Sequence, residues 1–313
     1  MGKVIIIAEA GVNHNGDIEV AKKLIDAAAD AGVDYVKFQT FKADKLVTKS
    51  ASRANYQDSN TGDKDSQHEM LKKLEISEEM HQDLIHYCEV KDIKFLSTAF
   101  DLESLKFLYN RLKLRFIKIS STDLDNYPML FYAGKKFNKI FLSTGLADIK
   151  KVDLALKVLY FSKKYKTLES CSKKILKKKK IDLSILKDKV IIFQCTSSYP
   201  CKDKEANLNV LQTYKERYNL KVGFSDHTIG TELALVSVGF GCRYIEKHFT
   251  LNKKLKGPDH STSLNYKELK HLSYSLKKTS EALGSFKKKI TNSEAKNKKA
   301  ERKTYYFKKE IEK

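Results

Sequence analysis

Eight times along this chain a short apolar, β-branched run gives way to a longer amphipathic stretch, and no other feature narrows the available folds so far. The runs are Val4 to Ala8, Tyr35 to Phe38, Lys94 to Ser97, Phe116 to Ile119, Lys139 to Leu142, Val190 to Gln194, Lys221 to Phe224 and Tyr244 to Glu246. Helical periodicity follows them over Asp17 to Asp30, Ser77 to Lys91, Leu102 to Leu112, Ile149 to Ser162, Leu208 to Tyr218, Thr231 to Gly239 and Tyr266 to Leu283. Eight βα units in 313 residues predict an α/β chain closed into a TIM (β/α)8 barrel. An open doubly wound sheet is the rival, but the G-x-G-x-x-G turn it would use for phosphate is absent after the first strand.

The barrel is expected to occupy residues 1–286. Residues 287–313 form a polar, lysine-rich tail whose apolar residues cluster only at Tyr305, Tyr306 and Phe307, a linker or docking arm. Two stretches interrupt the rhythm. Thr48 to Gln67 lengthens the loop after the second strand on the face where barrel active sites lie, a candidate substrate lid. Tyr165 to Lys189 precedes strand six on the opposite face and reads as a peripheral insertion. The net charge of +21 is spread over most helices rather than gathered with stacking aromatics, so it predicts a preference for anionic substrates and no nucleic-acid partner. No apolar run reaches the roughly 18 residues of a membrane span. The start enters a strand with no basic leader, and five cysteines without a C-x-x-C pair read as reduced thiols, so a cytoplasmic location is expected.

The chemistry is concentrated at the carboxyl ends of the strands, which in a barrel converge on one pocket. Those ends carry Glu9, then Lys37 and Gln39, Ser97 and Thr98, Lys118 with Ser120 and Ser121, Ser143 and Thr144, Cys195 to Pro200, Ser225 to His227, and Glu246 to His248. Two lysines facing one cavity repel unless an anion lies between them, so Lys37 and Lys118 imply a ligand with carboxylate or phosphate. Hydroxyls and the free N–H groups of following helices would complete phosphate coordination. His227 and His248 on adjacent strands could hold a divalent metal and leave positions open for water and substrate. Each signal alone has a plain structural explanation, such as a core histidine, a solvated lysine, a Ser-Thr-Gly turn or a packed Tyr199. Their coincidence carries the inference.

The motifs Ala8-Glu9-Ala10-Gly11-Val12-Asn13-His14-Asn15-Gly16 and Lys37-Phe38-Gln39-Thr40-Phe41-Lys42-Ala43-Asp44 resemble the opening of bacterial sialic acid and legionaminic acid synthases. Asn60-Thr61-Gly62, Ser97-Thr98-Ala99-Phe100-Asp101, Ser143-Thr144-Gly145, Gly223-Phe224-Ser225-Asp226-His227-Thr228, Ile245-Glu246-Lys247-His248-Phe249-Thr250 and Gly257-Pro258-Asp259-His260 follow in the family's order. The resemblance implies an enzyme condensing phosphoenolpyruvate with an N-acylated hexosamine, N-acetylmannosamine or a 2,4-diacetamido-trideoxy hexose, with pseudaminic-type acceptors less favoured. It implies phosphoenolpyruvate on Lys37, Gln39, Thr98, Lys118, Ser121, Ser143 and Ser225, and the sugar near Asn60, Tyr199 and Asp259. It also implies Glu9 and Asp123 among the catalytic groups, and a divalent metal on His227 and His248: manganese first, magnesium or cobalt as alternatives. A homodimer is the family's habit.

The chain departs from the family pattern at four places. Asp123 stands where many relatives carry Glu, Ala99 where they carry Pro, and Ser197 and Ser198 where they carry Asn, Thr or Glu; the Tyr165 to Lys189 stretch is longer. Past Arg302-Lys303-Thr304, where relatives continue into an antifreeze-like domain, the chain ends, and the expectation drawn is a separate antifreeze-like domain or a weakened sugar site. A sugar-phosphate synthase of the same barrel type and a non-catalytic scaffold barrel are the rival readings.

Overall fold

All eight expected strands are present in the computed structural model, which describes residues 3–51, 65–178 and 180–301. They are β1 (Ile5–Gly11), β2 (Tyr35–Thr40), β3 (Lys94–Ala99), β4 (Phe116–Ile119), β5 (Lys139–Ser143), β6 (Val190–Cys195), β7 (Lys221–Asp226) and β8 (Tyr244–His248). All pair in parallel, in sequence order, and β8 closes on β1. The barrel helices are α1 (Ile18–Asp30), α2 (Glu78–Val90), α3 (Leu102–Asn110), α4 (Tyr127–Lys136), α5 (Ile149–Ser162), α6 (Asn209–Tyr218), α7 (Glu232–Gly239) and α8 (Tyr266–Ala282).

Most of these helices begin at a side chain that satisfies their first free N–H groups. Asp17 caps α1, Ser77 α2, Asp101 α3, Asn126 α4, Asp148 α5, and Asn265 with Glu268 forms a capping box on α8. The strands then divide their side chains by alternation. One set, including Ile6, Val36, Ile117, Leu142, Ile192, Phe224 and Ile245, is buried with the helices in the main core. The other points to the axis, where Ile7, Tyr35, Leu96, Phe141, Ile191, Phe193 and Tyr244 plug the barrel's lower part. Gly223 makes that plug possible: a Cβ there would lie 2.7 Å from the Phe193 ring. Because the plug fills the axis below, the cavity can open only at the strands' carboxyl ends.

The Tyr165 to Lys189 stretch packs short turns and the helix Ser172–Lys177 against α5, burying Cys171, Ile175 and Leu186, as a peripheral insertion would. Of the candidate lid, Gln67 opens the helix Gln67–Lys73, which Ser66 and Glu69 cap reciprocally. Asn60 and residues 52–64 lie outside the described residues, as does the tail from 302 onward. Residues Asn292–Glu301 form a helix in the tail. No helix among the described residues is long and apolar enough to cross a membrane, and the five cysteines are free and buried.

Two histidines behind the barrel wall make a prediction about stability. His81 donates from Nδ1 to the Ser77 carbonyl at 2.7 Å, and its Nε2 meets the Thr40 hydroxyl at 2.8 Å, while His14 accepts from the Gly16 N–H at 3.0 Å. Burial holds both imidazoles down, from 6.5 to about 4. The unfolded chain therefore takes up protons that the folded chain refuses. Stability should be full above about pH 7 and fall as pH drops through 6.5 toward 4, by up to about 3 kcal/mol per histidine. Urea midpoints measured across that window check this: His81→Gln should flatten the fall, and a flat profile in the unsubstituted protein would refute it.

Candidate active site

The cavity at the carboxyl ends of the strands has a volume of about 490 Å³. Inward alternation and register set its floor. Glu9 pairs in register with Lys37 on one side and His248 on the other, Thr98 lies between Gln39 and Lys118, and Ser225 between Cys195 and Glu246. Gly11 sits at the irregularity where β1 leaves its ladder with β2, at φ +55°, and a Cβ there would press on Gln39, Glu9 and Asp259 at 3.3–3.6 Å. Only glycine takes that conformation and leaves the room.

Two buried ion pairs occupy the floor. The Lys118 ammonium meets both oxygens of Glu246 at 2.6 and 2.7 Å, and Ser225 donates to the same carboxylate at 2.7 Å. The Lys37 ammonium lies 2.8 Å from Glu9 Oε2, off the hydrogen-bonding direction, and donates to Thr98 Oγ1, while Gln39 donates to Glu9 Oε1 at 3.1 Å. The two carboxylates of these pairs titrate in opposite directions. Burial raises Glu9, partly offset by Lys37 and reinforced by Glu246. Burial works against Glu246 as well, but Lys118 and Lys37 outweigh it and hold this carboxylate ionised well below its ordinary range. Burial lowers Lys118 despite Glu246. Burial, with Glu9 adding to it, lifts Asp259 to about 6.

Above the floor, Tyr199 packs its ring 4.2 Å from that of His227, whose centroid is 5.7 Å from that of His248. His227 Nδ1 donates to the Thr196 carbonyl at 2.8 Å, so in the neutral ring Nε2 carries the lone pair. Burial works against the ring's charge, but Cys195 and then the Thr196 carbonyl outweigh it and raise His227 above the ordinary imidazole value. His248 Nδ1 is buried with no hydrogen-bond partner, and Asp259 Oδ2 lies 3.8 Å away. Burial, then His227, holds His248 well below the ordinary imidazole value, so it is neutral, as a ligand must be. Among the described residues no three His, Cys, Asp or Glu side chains converge on one point. The two imidazoles thus offer two donors, and water and substrate would have to complete a metal's shell.

Of the expected site residues, Glu9, Lys37, Gln39, Thr98, Lys118, Ser121, Ser143, Tyr199, Ser225, His227, His248 and Asp259 all line this one cavity. Asp123 does not. It is turned away from the cavity in the Ser121–Asp123 turn, where it accepts from Asn126 at 3.1 Å, and so supports the start of α4. Ser97 and Thr144, expected at the pocket, face outward instead: Ser97 bonds Thr40 at 2.7 Å and Thr144 bonds Tyr214 at 2.9 Å. Glu246, one of the polar strand ends but without a role among the expected site residues, faces the axis, as its place two residues before His248 on a strand dictates. Its outward neighbour Lys247 pairs with Asp226 at 2.8 Å, and Asp226 accepts from Thr228 at 2.7 Å, which pins the turn bearing His227.

A closed parallel barrel with carboxylate-paired lysines, hydroxyls and two imidazoles at its carboxyl face is a TIM-barrel protein with an anion-handling site. Residues 24–288 match the sequence profile of the NeuB family, and the chain belongs to that family. It is 42% identical over 313 residues to the N,N'-diacetyllegionaminic acid synthase of Campylobacter jejuni, covering 100% of this chain and 87% of that one. To the enzyme of the same name from Legionella pneumophila it is 40% identical over 291 residues, 92% and 76% of the two chains. The crystal structure of the N-acetylneuraminic acid synthetase from Leptospira borgpetersenii superposes with a TM-score of 0.76 at 28% identity, covering 96% and 94%.

Proposed function

We propose that this chain condenses phosphoenolpyruvate with an N-acylated hexosamine to give a nine-carbon 2-keto acid and inorganic phosphate, a nonulosonic acid synthase. The carrying observation is the floor, where two buried lysines, each already charge-balanced, are ringed by Thr98, Ser121, Ser143 and Ser225. Surplus buried cations without partners would be very costly, so the paired arrangement keeps the empty site intact while an anion's oxygens can still engage both ammonium groups. The relatives named above favour the legionaminic-type acceptor, a 2,4-diacetamido-trideoxy hexose, over N-acetylmannosamine.

The residues divide the work by depth. Lys118, Ser121, Ser143 and Ser225 hold the phosphate, and Lys37, Gln39 and Thr98 the carboxylate. That places the enol methylene toward the sugar aldehyde beneath Tyr199 and Asp259. Bond formation between the methylene and the aldehyde carbon leaves positive charge at C2, which the Glu9 carboxylate faces. Water adds there, and the tetrahedral intermediate expels phosphate. The described lining sets Lys37 and Lys118 against Glu9, Glu246 and Asp259, so it has no positive surplus for a multiply charged phosphoenolpyruvate. A divalent cation on His227 and His248 fits that deficit and the orphaned His248 nitrogen, and would supply polarisation of the aldehyde oxygen. Manganese suits two nitrogens completed by oxygens, and magnesium or cobalt are the alternatives to test.

Incubation with phosphoenolpyruvate, manganese and each sugar, followed by phosphate release and product mass, tests the reading. A nine-carbon keto acid is expected, abolished in His227→Ala/His248→Ala. No keto acid from either hexosamine would refute it.

A further inference from the structure

Among the described residues, one side of the cavity mouth is lined by no charged side chain. The helix Gln67–Lys73 and the turn Ala43–Leu46 lie beside the end of β3, and Leu71 from the helix, Leu46 from the turn and Phe100 just after β3, each half-buried, line the cavity. Behind them Phe41, Met70 and Leu74 are buried in a separate small cluster that is not part of the main core, and Phe41 meets the Phe100 ring edge-on at 6.3 Å. The wall is therefore backed by a packed apolar cluster, with Gln67 beside it, and faces a floor that is wholly polar. The cations at the described lining are Lys37 and Lys118, both already in ion pairs, and no arginine lines it.

We infer that this wall sets sugar specificity. Leu46, Leu71 and Phe100 receive the methyl-bearing end of the acceptor, its C6 methyl and neighbouring acyl group, and select a 6-deoxy, unphosphorylated hexosamine. The inference rests on the synthase reading and sharpens it. A 6-hydroxyl against this wall would lose its water without a partner, and a 6-phosphate would bring a second dianion to a site whose lysines are committed to the floor. Discrimination of about 10- to 100-fold against the hydroxyl is what an apolar pocket can deliver. Rejection of the phosphate should be stronger, since it adds an unpaired charge.

The test uses three acceptors with the full chain: 2,4-diacetamido-2,4,6-trideoxymannose, its 6-hydroxy counterpart, and N-acetylmannosamine 6-phosphate. The kcat/KM should fall in that order, with the first two about 10- to 100-fold apart. Leu71→Asn and, independently, Leu46→Asn should shrink that gap at least about tenfold by raising KM for the 6-deoxy sugar. KM for phosphoenolpyruvate should be unmoved, which reports an intact barrel. Product from the first two sugars at equal kcat/KM, a gap untouched by both variants, or efficient use of the 6-phosphate would overturn the assignment while leaving the synthase standing. No product from any acceptor would bring down both.

Discussion

Lys118→Met is expected to lower kcat/KM for phosphoenolpyruvate by about 10³-fold and to destabilise the fold by about 3–5 kcal/mol at once. Both losses come from one ammonium group. In the folded chain it bonds both oxygens of Glu246 at 2.6 and 2.7 Å, with the Phe193 ring 4.7 Å below. Methionine replaces the stem and its packing but not the charge, so Glu246 is left ionised and buried with Ser225 as its remaining hydrogen-bond donor. Phosphate release reads the first loss and urea unfolding the second. The double variant Lys118→Met/Glu246→Gln separates them. Removing both charges should recover most of the stability, because a neutral amide no longer needs a counter-ion, yet turnover should stay lost because nothing replaces the cation that meets the substrate's phosphate. Recovery of turnover to within about tenfold would mean that Lys118 serves only to neutralise Glu246, since a transition-state contact would be worth more than that.

That pair also marks the limit of what could be read before the structure. The eight strands and their order were legible because apolar, β-branched runs between amphipathic helices have few other solutions. Their carboxyl ends were not. β7 continues through Ser225 and Asp226 and β8 through Lys247 and His248, two residues past the apolar run in each case. Polar residues there resemble the start of a loop, but they stay in the ladder because their side chains point into the site or, like Lys247, find a buried partner. The same period of two separates residues that a list of polar strand ends runs together: Thr98 and Ser143 face the cavity, Ser97 and Thr144 do not. Asp123 illustrates a different limit. A carboxylate four residues after the end of β4 sits near the site in sequence, yet the tight turn at Ser121–Asp123 swings it toward Asn126, and one-dimensional spacing cannot show a turn's direction. The apolar wall was hidden for a related reason, since Leu46, Leu71 and Phe100 come from three separate segments.

Glu9→Gln is expected to cut kcat by about 10²- to 10⁴-fold with little change in KM for phosphoenolpyruvate. The carboxylate lies between Lys37 and Gln39, buried, with Asp259 nearby at the same rim. Glutamine keeps its shape and can still meet Gln39, so the substitution removes the charge and the titrating proton and little else. If Glu9 were only the counter-ion of Lys37, its loss would free that ammonium for the substrate, and KM would improve while kcat held. If it stabilises the positive charge developing at C2, the reverse holds, because the interaction exists only in the transition state. The pH profile separates the two again. Burial and the nearby Glu246 raise Glu9 above the usual carboxylate value. The ionised form that faces the cation is therefore lost as pH falls through that raised value, and kcat should begin to decline at a higher pH than an exposed glutamate would allow. Glu9→Gln should lack that acidic limb altogether, and Glu9→Asp should keep it at a reduced rate. An unchanged limb in Glu9→Gln would assign the titration to another group and leave Glu9 as a structural partner of Lys37.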